Sequence, residues 1–182
     1  MDSRIVRLPV ILTILLICLF SMTCVFADDS SPLSFSLVHQ INIGSNYSFF
    51  FKDTSDDNVS SIVLSEGEAN EDFVSLFMEH DSNVIIKGIT VTASDLQTED
   101  KSASYPYTMS VKDGNGNAIE WTQNAEGDGS GYAHIVSKTT VFRYKDTGGL
   151  IKFADFSIDL STQDEVPYGT YSGTMTLYYS VI

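Results

Sequence analysis

The stretch Gly169–Ile182, GTYSGTMTLYYSVI, decides the reading of this chain. Its odd positions Tyr171, Met175, Leu177, Tyr179 and Val181 are apolar, with Gly173 as a gap. Its even positions Thr170, Ser172, Thr174, Thr176 and Ser180 carry hydroxyls, with Tyr178 the exception. A period of two sends successive side chains to opposite faces of an extended backbone. This is therefore a long strand with one buried and one wet face. Left unpaired, such a strand invites edge-to-edge aggregation, so the folded protein must pair it.

The same period recurs upstream. Leu33, Phe35 and Leu37 alternate with serines, and Tyr47, Phe49 and Phe51 alternate with Ser48 and Lys52, although Phe50 interrupts the polar side. Val84–Ile86 leads into Ile89, Val91 and Ala93, with Lys87, Thr90 and Thr92 facing the other way. Tyr107, Met109 and Val111 follow suit, and 118–122, 132–137, 139–144 and 150–160 are further strand candidates. Clusters of Asn, Asp and Gly at 53–58, 113–117, 124–131 and 146–149 supply the left-handed backbone that turns require. One segment, 68–79 (EANEDFVSLFME), spaces Phe73, Leu76 and Phe77 at helical intervals, but reads better as a strand with Val74 and Leu76 inward. About nine strands without sustained helical periodicity predict an all-β, immunoglobulin-like antiparallel β-sandwich. A closed barrel is the second choice.

The first 27 residues read differently. Arg4 and Arg7 precede an apolar run of thirteen residues, Leu8–Phe20, and the segment closes on Val25-Phe26-Ala27. This is the pattern of a secretory signal peptide, and the run is well short of the roughly 20 residues a membrane span needs. The expected domain organisation is a signal peptide at 1–27 and a single sandwich domain at 28–182, exported to the periplasm, cell surface or medium. Both cysteines, Cys18 and Cys24, lie inside the leader, so the processed chain is expected to hold together without disulfides. Asp2, Arg4 and Arg7 are the leader's charges, which leaves 23 acidic and 8 basic residues beyond it and a formal charge of −15. Phosphate binding needs clustered Lys and Arg, so nucleic acid is excluded as a partner, and no membrane span is expected after cleavage.

Little in the sequence points to catalysis. His39, His80 and His134 are scattered, no G-x-S-x-G is present, and no thiol survives processing. The expectation is a protein without enzymatic activity. Asp113, Asn115 and Asn117 place oxygen-bearing side chains at alternate positions, as a calcium loop does. Ala118 stands where such a loop wants Gly, and Asn124 where it wants Glu. A hairpin turn between 108–112 and 118–122 accounts for the same residues. Asn46-Tyr47-Ser48 and Asn58-Val59-Ser60 match the N-glycosylation pattern. Tyr105, Tyr107, Trp121, Tyr132, Tyr144 and Tyr168 either form a platform for sugar rings or fill the sandwich.

The carboxy-terminal stretch resembles the last strand of exported fimbrial subunits and their spore-coat-U-like relatives. In those families a Gly stands fourteen residues from the end and alternating apolar residues follow; Gly169 occupies that place, and Tyr171, Met175, Leu177, Tyr179 and Val181 carry the alternation. The sequence departs from the pattern in having Val181 rather than Tyr as the penultimate residue, and in lacking the usual disulfide. The resemblance covers this strand alone. It implies an immunoglobulin-like sandwich completed by strand addition from another copy or a related subunit, with residues 31–41 as the donor. The rival account makes that segment the first strand of its own sandwich. The function expected is thus structural or adhesive, as an assembling fimbria-like subunit, and the alternative is an extracytoplasmic binding module for a carbohydrate or a cation.

Overall fold

The computed structural model describes residues 33–39, 46–65, 69–124, 127–160 and 166–182. The predicted leader at 1–27 lies outside the described residues, as do the ends of the predicted donor segment at 31–32 and 40–41.

In chain order the elements are β1 (Leu33–His39), β2 (Tyr47–Asp53), β3 (Asn58–Val59), β4 (Ser61–Leu64) and β5 (Ala69–His80). There follow β6 (Val84–Ala93), β7 (Leu96–Gln97), β8 (Ser104–Tyr105), β9 (Thr108–Asp113) and β10 (Ala118–Ile119). The chain continues through β11 (Thr122–Gln123), β12 (Gly131–Val136), β13 (Thr140–Phe142), α1 (Tyr144–Thr147), β14 (Leu150–Asp159) and β15 (Tyr171–Val181). They form two sheets. The first runs β11-β12-β6-β15-β1-β4, with β13 beside β6, and with β7 pairing β15 and β8. The second runs β10-β9-β14-β5-β2-β3. The chain is an all-β sandwich, and every strand pair is antiparallel except β1 with β15.

Aromatic rings tie the two layers together. Phe35 of the first sheet meets Phe73 of the second at 6.5 Å between centroids and Tyr107 edge-on at 5.6 Å. Tyr179 lies 4.5 Å from Phe49, and Phe142 lies 5.3 Å from Phe153. Each such ring removes a large apolar surface from water, and edge-on pairs add a further ~0.5–1.5 kcal/mol. The inward residues of every long strand join one contiguous core.

Alternation predicts these inward residues well, and β-bulges explain where it fails. In β5, Phe73 and Val74 are both buried. Asp72 there takes φ +45°, its N–H donates to Ser157 Oγ at 2.9 Å, and Ser157 Oγ donates back to its carboxylate at 3.0 Å. That clasp lets several residues of β5 face one residue of β14, between the Val74–Phe156 and Asn70–Ile158 pairs. A second bulge in β14 buries Phe153 and Ala154 together. The segment 69–80 is a strand, as its flanking pattern predicts, with Val74 and Leu76 inward. Phe50, which interrupts the polar side of β2, stacks on Phe77 of β5 at 5.9 Å on the outer face.

Ten strands of three or more residues and five two-residue segments are present among the described residues, against an expectation of about nine. The expected strand at 118–122 is broken at Glu120–Trp121, so β10 joins one sheet and β11 the other. The expected strand at 139–144 stops at Phe142 because Tyr144 begins a single helical turn, α1. Gly148 closes that turn in the left-handed region at φ +65°, donating its N–H to Tyr144 O at 2.9 Å. Among the described residues no helix is long and apolar enough to cross a membrane.

Candidate functional site

β15 sits in the middle of the first sheet, with β6 on one side and β1 on the other. Tyr171, Met175 and Leu177 are buried, and Tyr179 and Val181 are half-buried against the core. Tyr171 stacks edge-on with Tyr105 at 5.6 Å, and its hydroxyl donates to Pro167 O. Gly169 precedes the strand. A Cβ there would meet Thr98 Cγ2 at an ordinary 3.5 Å, so packing does not demand glycine at that position.

Gly173 is different. β1 lies parallel to β15 in the register Leu33–Tyr171, Phe35–Gly173 and Leu37–Met175. A Cβ on Gly173 would sit 2.6 Å from Phe35 Cε1 and 3.0 Å from Asp95 O. The missing side chain is therefore a socket, and the fully buried Phe35 ring fills it. Leu33 and Leu37 are buried on either side of it, so β1 presents three knobs to the core. On its far side β1 pairs with β4 only from Leu33 to Ser36. The gap at Gly173 is visible in the sequence, but its partner lies 138 residues upstream and no local signal connects the two.

Asp113, Asn115 and Asn117 do come together, as a turn. Asp113 Oδ1 accepts from the N–H of Asn115 at 2.9 Å and of Asn117 at 2.8 Å, and the Asn117 side-chain amide donates to both carboxylate oxygens. Gly116 supplies φ +85°, and β9 and β10 pair as a hairpin through Lys112–Ala118 and Val111–Ile119. The Asn117 and Asn115 donors hold the Asp113 carboxyl below the usual carboxylate range. Asp113 Oδ1 thus serves the loop's own donors, while Oδ2 accepts from the Asn117 amide. Among the described residues no three His, Cys, Asp or Glu side chains gather as a possible metal centre.

The aromatic candidates separate. Tyr105 and Tyr107 are core residues. The Tyr107 hydroxyl donates to Ser94 O at 2.7 Å, and burial, reinforced by Asp128 and Asp95, pushes its phenol well above the ordinary range. Trp121 is half-buried at the edge of the core, its indole N–H donating to Gly129 O at 3.3 Å. Tyr144 and Tyr168 are exposed, and Tyr132 lies against His134.

An open cleft of about 420 Å³ lies where β2, β5 and β14 meet α1, lined by Asn46, Glu79, His80, Asp81, Tyr144 and Leu150 among others. Its one buried ionisable group is His80. Nδ1 lies 2.7 Å from the Ser82 carbonyl and so carries the proton, which leaves Nε2 to accept from the Thr147 hydroxyl at 2.8 Å. Both nitrogens hold local structure, tying α1 to the end of β5. His134 is on the outer face of the first sheet, bonded to Thr90 Oγ1 at 2.9 Å. The side chain of His39 lies outside the described residues. No protein-family model and no curated protein matches the chain.

Proposed function

We propose that the protein is an exported, non-enzymatic structural or adhesive subunit with an immunoglobulin-like sandwich, which assembles by exchanging its first strand between copies or with a related subunit. The observation that carries this reading is the β1–β15 interlock. A strand close behind the expected leader cleavage site fills a groove beside β15 with Leu33, Phe35 and Leu37, and the groove is shaped for it at Gly173. Burying each of these side chains is worth about 1.5–3 kcal/mol, wherever the strand comes from. The same strand supplied by a neighbour makes the same contacts, so exchange costs little once copies are concentrated. The parallel register sets the geometry an incoming strand must adopt.

The experiment is sedimentation of the processed protein with and without residues 28–42. Full-length protein is expected to form species larger than dimers, and the truncated protein to lose them and bind a peptide of residues 28–42 added in trans. A Phe35→Ala peptide should bind far more weakly. Absence of such species in both forms, with no peptide binding, refutes strand exchange.

A second reading, an extracytoplasmic binding module for a carbohydrate, draws on the open cleft with its exposed Tyr144 and the carboxylates of Glu79 and Asp81. Saturable oligosaccharide binding abolished by Tyr144→Ala would favour it. The cation form of that reading needs calcium to raise the melting temperature through Asp113.

A further inference from the structure

The outward faces of the two sheets differ sharply in charge. On the second sheet, one row across four strands reads Lys112, Asp155, Ser75 and Lys52. It carries ion pairs from Lys152 to Asp155 at 2.6 Å, Lys52 to Asp56 at 2.8 Å and Lys112 to Asp72 at 3.8 Å. On the first sheet, Thr92 has Tyr132 on one side and Thr176 on the other, with Val38 beyond. In the next row Thr90 lies between His134 and Tyr178. Towards the other end, Ser172, Ser34 and Val63 form a third row. Across β12, β15, β1, β4 and the β6 residues beyond the Lys87 bulge, no outward position holds Asp, Glu, Lys or Arg. In a chain whose formal charge is −14, an uncharged five-strand face stands apart from the rest of the surface.

We infer that this face is a docking surface for a second copy of the chain, stacked sheet to sheet about a twofold axis. Net charge of one sign repels copies from one another, and the repulsion is weakest where neither contributes a charge. Stacking through the first sheet gives four layers about 10 Å apart, which places the two charged outer faces about 30 Å from each other. That is several times the Debye length of about 8 Å at physiological salt, so they are screened. Five strands at about 4.8 Å and seven residues at about 3.4 Å give about 600 Å² per copy, or about 1,200 Å² in the pair. That is the lower bound for a specific, reversible interface. Val63 is 78 % exposed, Tyr178 59 % and Val38 47 %, so three of the eight exposed large apolar side chains among the described residues lie on this face. The exposed valines offer nothing to a sugar hydroxyl but bury well against their own copies. The contact uses a face and closes at two copies, whereas strand exchange replaces β1 between β15 and β4 and need not close.

The test is sedimentation velocity of the purified protein across a wide concentration range at physiological salt. At the dilute end of the range a reversible monomer–dimer step is expected beneath any larger strand-exchanged species, weakened about tenfold by Tyr178→Asp and also by Val63→Lys. Ser110→Asp, on the charged outer face, leaves it unchanged, and melting curves verify that all three variants fold. A reversible dimer weakened by Tyr178→Asp, in a full chain that forms nothing larger, supports the face contact even if strand exchange fails. A wild-type protein that stays monomeric, or a dimer indifferent to Tyr178→Asp and Val63→Lys, overturns it. So does a monomer that binds a soluble neutral β-glucan through Tyr178, which would assign the face to a glycan.

Discussion

If Phe35 fills a socket at Gly173, the two positions must be energetically coupled. Phe35→Ala removes a fully buried ring that touches Tyr107 and Phe73, and its expected cost is about 3–5 kcal/mol. For a domain of this size that lowers Tm by the order of 10 °C. Gly173→Ala places a methyl 2.6 Å from Phe35 Cε1 in a region where the backbone itself is unstrained, so its cost of about 1–3 kcal/mol is overpacking. In the Phe35→Ala background the ring is gone and only the 3.0 Å approach to Asp95 O remains. The double variant is therefore expected to be more stable than the sum of the single changes by about 1–2 kcal/mol. Urea unfolding followed through Trp121, the single tryptophan, reads all four corners of the cycle. Additivity within about 0.5 kcal/mol, or a Phe35→Ala cost below about 1 kcal/mol, would refute the interlock.

Other predictions concern the turns. Asp113→Ala removes the acceptor for the Asn115 and Asn117 donors and should lower Tm equally with and without millimolar calcium; a calcium-dependent difference would show that the turn binds the ion. Thr98 and Ser102 hydrogen bonds lower the Asp100 pKa from 3.8 to about 2. The native state thus prefers the carboxylate, and this contribution is present above pH 4 and lost as pH falls towards 2. Asp100→Asn should flatten that part of an acid-unfolding curve, and an unchanged curve contradicts the loop geometry. Gly129 has φ +97°, and a Cβ there would meet Tyr107 O at 2.3 Å, so Gly129→Ala is expected to cost at least about 1–3 kcal/mol by urea titration. A neutral result would mean that the 127–130 turn does not pack beneath Tyr107.

How much of this was open to sequence reasoning depends on the range of each interaction. Whether a side chain points in or out is set by its immediate neighbours, so period two identified β2, β6, β9, β14 and β15 and most of their buried residues. The hairpin at Asp113 was equally legible, because Asp, Asn and Gly act within five residues. Bulges were not: Phe73 and Phe153 are buried out of phase because of what lies across the sheet. The alternate residues of β15 were legible as one face, but Gly173 reads only as a gap until β1 is placed beside it.

Sequence alone thus determined an all-β chain of alternating strands joined by Asn, Asp and Gly turns, since those preferences are local. Tertiary structure decided that β1 runs parallel to β15, that Phe35 fills Gly173, and that charge is sorted between the two outer faces. Each of these joins residues far apart in the chain, through hydrogen bonds and packing that no short window contains.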